Sequence, residues 1–592
     1  MKKLLLTAFC VLCVLTFAFA SNYQKIYSID DAIFTKIQRL YVLNGLGLPS
    51  STGPWSGSEL MDMVNRLDPS KMSDTERAWY DEVLSELQED SEKGAFDVTP
   101  SLNLEANIHT NTSTTFQGRD NWVRDFNKAD ELLKIEFDNH IRENFYGYFE
   151  FTLGPAIHYK ANDAHTDFGD TTFSSNIMFV GSNDMKQLDF NFPHRAFVAA
   201  GGEGWTFQIG RDRLSWGNGT TGNMVIGDQV QYHNMARFAT WTDTFKWTFL
   251  VSSFPHPQNY YDDTGMHING VGNGQSHYMN GISAFIGHRL EWSLFKNRLG
   301  LNLTEGVMYM SKDNRIDLTV LTPSMLYHNN YTRSNTNSIL SFGADYTIMK
   351  GLNVYGELAI DESMLPGEPV AGNLSTGLAE PSAIGFVAGA TYVMTAGNGI
   401  LSFNVEAAQT DPYLYLRDGD VQVDGGTPRE QAVGDYGINY VVAVREMIGA
   451  GGTEYYDQQF LGYRYGNDAQ VANLRVSYLL PVVDVTFNTF FMRHGTYDKW
   501  TVWTRVNKTE GDNVSTPTTT HQYTANNNDT DVSDRTAVES TLVCGLAATW
   551  RAPLGFKVFG QADFVSIWNV DNVSSDKPAI DTQITLGVSW EY

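Results

Sequence analysis

Two periodicities divide this chain. In the first part apolar residues recur at helical spacing: Ile33, Ile37, Leu40 and Leu43, then Trp79, Val83 and Leu87. Three helix starts accompany them. Ser28-Ile-Asp-Asp31, Ser56-Gly-Ser-Glu59 and Ser73-Asp-Thr-Glu76 read as capping boxes or the Asp variant. In each, a hydroxyl can accept from the third amide while the acid reaches back. Gly45 and Gly47 supply a stop for the first helix. The spacing predicts a small three-helix unit over residues 21–97.

From Ser101 the period becomes two. "SLNLEANI" sets Leu102, Leu104, Ala106 and Ile108 on one face. Eight hairpin patterns follow, among them "RAFVAA-GGEG-WTFQIGR", "SFGADYTIM-KG-LNVYGELAI" and "GLAATW-RAPLG-FKVFGQADF". Their connections are short and mostly carry Gly, Asn, Asp or Pro, as hairpin turns require. Long polar linkers separate the hairpins: Asn111 to Asp130, Pro155 to Phe190, Ser252 to Asn280 and Thr410 to Gln470. Short turns on one side and long loops on the other mark an outer-membrane β-barrel.

The last segment, "TQITLGVSWEY", alternates cleanly, with Ile584, Leu586, Val588, Trp590 and Tyr592 on one face. It resembles the terminal strand that barrel-assembly machinery recognises. Pairing it with the first strand closes the sheet and leaves no edge in lipid. The segments sum to about eighteen strands, an even number as single-chain barrels have. The expected fold is therefore all-β: an antiparallel outer-membrane barrel over 98–592 with a small α-helical unit before it. The helical unit and short turns are expected in the periplasm and the long loops outside the cell.

Composition adds three constraints. Lys2 and Lys3, an apolar run to Phe17 and Ala18-Phe19-Ala20 read as a signal peptide over 1–20. Its removal leaves Cys544 alone of three cysteines, so no internal disulfide is expected; Cys544 shares an apolar face with Leu542 and Leu546. The formal charge of −27 argues against nucleic acid as a partner. Charges nevertheless fall inside strand patterns, at Glu136, Glu150, Arg237, Glu305, Asp345, Glu357 and Arg475. These must face the lumen or another polar site, since a charge at mid-depth on the lipid face is costly.

Candidate chemistry concentrates in "IGRDRLSWGNGTTGNM", Ile209 to Met224. It lacks the lysine and the following helix of a phosphate loop. It reads as the outward end of a strand entering a glycine-rich loop, with Ile209 on the apolar face of Trp205 and Phe207. Trp216 can stack on a pyranose, and Arg211 and Arg213 can grip carboxylates. "GRDRLSWGNG", "HRLEWSLF…LGLNLTEGVMY", "LTPSMLYHNNY" and "LNVYGELAIDE" resemble recurrent motifs of the Wzi family of capsule-assembly outer-membrane proteins. The resemblance covers most of the chain after the leader. It implies an eighteen-stranded barrel and a surface lectin that helps hold capsular polysaccharide.

A second loop, "TDPYLYLRDGD", offers Asp411, Tyr413, Tyr415 and Arg417 as glycan contacts. Its alternating tyrosines fit an interfacial aromatic girdle better. "EYYDQQFLGYRYG" reads as loop or girdle too. His256 lies near Asp262 and Asp263 but lacks the further ligands a metal site needs, and no nucleophile elbow occurs. The reading is a non-enzymatic surface-polysaccharide binder without cofactor or metal. Its expected partners are capsular or surface polysaccharide, outer-membrane lipid with lipopolysaccharide or its equivalent, and the barrel-assembly machinery. The alternative is a porin or hydrophobic-solute channel.

Overall fold

The computed structural model describes residues 22–92, 95–111, 116, 130–153, 173–176, 194–257, 278–311, 315–323, 326–327, 336–362, 378–379, 381–417, 438–448, 454–499, 501, 506–507, 515–520 and 534–591. The leader reading at 1–20 lies outside these, as do Asp262 and Asp263.

Among the described residues three α-helices precede the barrel: α1 (Ala32–Asn44), α2 (Gly57–Asn65) and α3 (Asp74–Ser91). Ser73 and Glu76 form the full reciprocal box on α3, and Ser56 accepts from the Glu59 amide on α2. On α1 the cap is Asp31, not Ser28: the Asp31 carboxylate accepts from the Ile33 amide at 3.0 Å. Asp31 already sits one turn-step closer to the helix, so the serine is left to the preceding turn. Gly45, at φ 78°, ends α1 in the left-handed conformation that glycine adopts without a Cβ penalty. Ile37, Leu40 and Val83 are fully buried between the helices.

Among the described residues eighteen strands form the closed barrel, and a short further strand, Phe173–Ser175, pairs against Ala106–Ile108 of the first. In chain order the eighteen are β1 (Phe96–His109), β2 (Leu133–Ile141), β3 (Phe145–Leu153), β4 (Ala196–Gly202), β5 (Trp205–Asp212) and β6 (His233–Trp241). Next come β7 (Phe245–Pro257), β8 (Tyr278–Leu294), β9 (Leu299–Ser311), β10 (Thr336–Met349), β11 (Leu352–Glu362) and β12 (Ala383–Ala396). The last are β13 (Gly399–Thr410), β14 (Ala469–Leu479), β15 (Val483–His494), β16 (Glu539–Arg551), β17 (Phe556–Trp568) and β18 (Ala579–Glu591). All barrel neighbours are antiparallel, and β18 closes onto β1 from Gln583↔His109 to Glu591↔Ser101. The expected linker at 252–280 is partly strand, because β7 and β8 run on past the barrel wall and pair out to Pro257↔Tyr278.

The outward face is apolar. Val198, Phe207, Ile209, Phe342, Leu546 and Leu586 are exposed on alternate positions, as the lipid-facing side of a barrel requires. Trp205, Tyr346, Tyr392 and Trp550 stand close to the short turns, where an aromatic girdle belongs. Cys544 follows the outward register, half-buried.

Inside, charge anchors the helical unit to the wall. Lys246 on β7 pairs with Glu59 on α2, both buried. Thr52 and Ser50 donate to Glu291 on β8 at 2.7 and 2.8 Å, and the Leu48 amide donates to Asp345 on β10 at 2.6 Å. The unit also reaches the short turns: Asn22 to the Phe145 carbonyl, Arg66 to that of Thr242 and Thr75 to that of Gly397.

Of the seven strand charges, Glu305 is the one that does not face the lumen. It follows the outward register of Leu301 and Leu303 on β9. Its carboxylate meets His288 of β8 at 3.2 Å, and His288 also lies 2.9 Å from the Pro323 carbonyl oxygen. The segment around Val320 and Tyr327 packs over Ala284, Ile286 and Val307 of the same face. The pair is thus roofed by chain rather than lipid, which is the other polar site that such a charge needs.

Glu59→Leu strands a buried ammonium, and the cost of breaking such a pair is about 3–5 kcal/mol. The variant should lose protection of α1–α3 against protease, while Glu59→Met with Lys246→Met regains much of it. Equal protection of the single variant and wild type would show that the pair does not hold the unit in place.

Candidate functional site

The loop after β5 does not stand at the rim. It turns into the lumen and crosses it. Ser215 and Trp216 pair antiparallel with Thr52 and Gly53 of the helical unit. The amides of Thr220 and Thr221 then donate to Glu406 on β13, each at 2.7 Å. The Thr221 hydroxyl adds 2.6 Å, and the Tyr355 phenol binds the same carboxylate. The Met224 amide donates to Glu357 on β11 at 3.3 Å. Gly217 and Gly222 take φ of 147° and 135° along this path, a region that L side chains rarely enter. The glycines serve a lumen crossing, not a phosphate and not a lip.

The second candidate loop meets the first there. The Tyr415 hydroxyl donates to the Met224 carbonyl at 2.6 Å and accepts from the Tyr463 amide at 2.9 Å. Tyr440 donates from its phenol to the Asn337 carbonyl at 2.9 Å. Gln229 spans to the Gly462 carbonyl at 2.8 Å. Leu214, Trp216, Met224, Val225, Leu414 and Leu461 are fully buried in one apolar cluster. That cluster runs into inward-facing wall residues such as Met235, Phe285, Met308, Ile339 and Val471. Among the described residues, segments 213–232, 411–417, 438–448 and 454–467 together make a plug. The tyrosines at 413, 415, 463 and 465 are buried inside it or beside it, so the girdle reading of these residues is overturned. Burial pushes the Tyr415 and Tyr463 phenols up, which keeps both as donors.

The seven residues singled out by sequence therefore have distinct places. Trp216 and Tyr415 are fully buried in the plug, where neither ring offers a free face to a sugar. Tyr413 packs edge-on against Tyr497, centroids 5.3 Å apart. Asp411 accepts from the Ser382 hydroxyl and the Ile384 amide at 2.9 and 3.0 Å, and burial raises its pKa. Arg213 reaches Asp30 and the Asp228 carbonyl, tying the plug to the N-terminal segment. Arg211 sits outside on the rim, donating to Asn234 at 3.0 Å and lying 3.9 Å over the Tyr232 ring. Arg417 pairs with Glu362 at the top of β11, each about a quarter exposed. The structure does not gather these seven into one surface. Sequence reasoning missed Glu406, Thr221 and Tyr463, because nothing local marks a residue that acts across a lumen. Glu406 carries the one available signal, an acid on the polar face of a strand pattern.

Asp468 fixes the rim beside the second loop. Fully buried, it accepts from the amides of Thr518 and Tyr497 at 3.0 and 3.1 Å, and its own amide donates to the Asp411 carbonyl at 3.2 Å. Burial pushes its carboxyl up to about 6, against the opposing pull of His494.

The comparisons with known proteins bear on this geometry. No protein-family model matches the chain, and no curated protein matches it. Among solved structures there is a similarity that spans almost the whole molecule. The fold is similar to that of Wzi. That protein is an outer-membrane protein involved in group 1 capsule assembly in Escherichia coli, a carbohydrate-binding β-barrel. Identity is 12%, 95% of this chain and 98% of Wzi are covered, and the TM-score is 0.53. At that identity the likeness is one of fold. The motif resemblance to Wzi thus holds as architecture, without a match to a family model. The OprD barrel of Pseudomonas aeruginosa (9% identity, 84% and 95% covered, TM-score 0.36) and the DcaP channel of Acinetobacter baumannii (8%, 84% and 97%, 0.31) are more distant.

Two outcomes are expected. Glu406→Ala leaves the donors of Thr220, Thr221 and Tyr355 unpaired, and each bond to a charged group is worth about 1.5–3 kcal/mol. Amide protection should fall across 217–224, and unchanged hydrogen exchange there would remove Glu406 as the anchor. For Asp468 the folded pKa lies above the ordinary 3.8. Between these values the folded rim keeps a proton that the unfolded chain has lost, so its stabilising share is full at low pH and falls as pH rises through about 6. Thermal unfolding at pH 4 and pH 7 should therefore differ less in Asp468→Asn than in wild type, and an unaltered difference would contradict the assignment.

Proposed function

We propose that this protein is an outer-membrane, cell-surface polysaccharide-binding protein that helps assemble or retain a capsular or other surface glycan. One observation carries the reading: the lumen is occupied by a plug built from the protein's own long loops and backed by a helical unit. A general porin needs a continuous aqueous path, whereas a barrel used as a rigid platform gains from being filled. The similarity to Wzi in overall architecture, helical unit included, supports the same reading.

In this orientation the helical unit and short turns face the periplasm and the long loops face outward. Lipid and lipopolysaccharide surround the apolar belt, and the last strand is the segment read by barrel-assembly machinery. Of the seven candidates, Arg211, which lies over the buried Tyr232, and Arg417, paired with Glu362, have surface left for an acidic sugar. Trp216, Tyr413 and Tyr415 act by holding the floor beneath them. Arg213 and Asp411 tie that floor to its surroundings.

The experiment pairs two measurements. The solubilised protein should bind surface polysaccharide on a glycan array, and the Arg211→Ala, Arg417→Ala double variant should bind at least about tenfold less, the value of one charged hydrogen bond. In planar bilayers wild type should show no large steady conductance. Large conductance together with absent glycan binding would replace this reading with the channel one.

A further inference from the structure

Below the plug, on the helical-unit side, part of the lumen stays open. A polar cavity of about 290 Å³ lies between the underside of the plug and the wall formed by β14–β17. Its size is near the low end of the range for small-molecule sites, about 300–1,000 Å³. The wall supplies three cross-strand rows. The row nearest the plug is Asn473, Phe490 and Val543, and the middle row is Arg475, Asn488, Gly545 and Asp563. The row nearest the short turns carries Thr486, Ala547 and Gln561. From the plug come Tyr465 and Arg464, the latter held by Asp228 at 2.7 Å.

Arg475 sets this cavity apart. Other cations built into the wall have partners: Lys246 has Glu59, Arg237 has the Thr52 carbonyl, and Arg289 has Thr304. Arg475 makes no hydrogen bond or ion pair among the described residues, and its side chain is open to the cavity. Arg39, on α1, is a like charge whose pKa is drawn down to about 10 by burial first and by Arg475 second. A guanidinium left without an anion in a confined, partly desolvated space favours one that enters. Asn473 makes a second unmet demand: it is 7% exposed, and its side-chain oxygen has no hydrogen-bond partner among the described residues.

The remaining walls narrow the ligand. Gln561 donates to Asp563 at 2.8 Å. A Cβ at Gly545 would stand 2.3 Å from the Asp563 carboxylate, so the glycine keeps that acceptor within the cavity. With Arg464 already paired to Asp228, the guanidinium of Arg475 and the carboxylate of Asp563 in the same row suit a monoanion that also carries hydroxyl donors, and they disfavour a dianion such as phosphate. Tyr465 and Phe490, centroids 4.9 Å apart, add an aromatic wall suited to the C–H face of a sugar ring.

We propose that this cavity is an inner binding site for a single acidic sugar unit of the uronate class. Its carboxylate lies on Arg475, its hydroxyls on Asn473, Asn488, Gln561 and Asp563, and its ring against Tyr465 and Phe490. The site is on the opposite side of the plug from the long-loop surface and does not rest on the surface-binding reading.

Glucuronate titrated calorimetrically into the detergent-solubilised full chain tests it. Wild type should bind saturably, and glucose, which lacks the carboxylate, should bind at least about tenfold more weakly, as should glucuronate to Arg475→Gln. Gly545→Leu, which fills the cavity, should abolish binding. Should that variant fail to fold, as judged by heat-modifiable migration, Asn488→Leu takes its place. No binding to wild type, equal binding of glucose, or undiminished binding to Arg475→Gln would overturn the proposal.

Discussion

One buried carboxylate organises the interior. Glu406 lies on the wall across the lumen from the strand where the plug loop begins, and it accepts two backbone amides and a hydroxyl from the tip of that loop. Backbone donors of a glycine-rich segment have no helix or sheet to satisfy them, so a side-chain carboxyl oxygen in a low-dielectric space is a strong partner. With the tip fixed, the apolar side chains before and after it are forced to pack against the wall.

That packing explains an oddity of the strands. A barrel with a wet lumen alternates apolar outside and polar inside. Here, on β8–β10, the half of the wall nearest the long loops is largely apolar on both faces: Phe285, Met308 and Ile339 point inward while Ile286, Val307 and Leu340 point outward. The inward set is the other half of the plug's core. Nearer the short turns, where the helical unit enters, the inward residues are charged instead. Glu291, Asp345 and Lys246 meet hydroxyls, amides and an acid of the unit. The two ends of the lumen are therefore closed differently: the plug packs an apolar core around its Glu406 anchor, and the helical unit is held by paired charge and hydrogen bonds.

The same logic governs the exceptions. Glu305 faces outward only because His288 and the overlying segment at Val320 and Tyr327 remove it from lipid. Arg475 faces inward over a space that neither closure fills. Charges in a membrane wall are costly enough that each marks a specific arrangement nearby, and these two point to a roof and to a cavity.

Local sequence determined a good deal. Alternation with a period of two, eight short turns and a matching terminal strand specify an even-numbered closed barrel, because an open edge in lipid is forbidden and lipid faces must be apolar. Capping residues such as Ser73 and Glu76 specify the helical unit, because a helix end needs its amides satisfied by nearby side chains. These are constraints between residues a few positions apart. The fate of the long loops was of another kind. Nothing near Trp216 or Tyr415 distinguishes an aromatic that waits for a sugar from one that is buried in a plug, and nothing near Ser28 shows that Asp31 takes the cap. Trp216 and Tyr415 are decided by Glu406, Met224 and Tyr463, up to roughly 250 positions away along the chain, through contacts that exist only after the wall has closed. The tertiary structure alone decided that the loops turn inward, because only a closed lumen offers them an apolar surface and a buried anion to fold against.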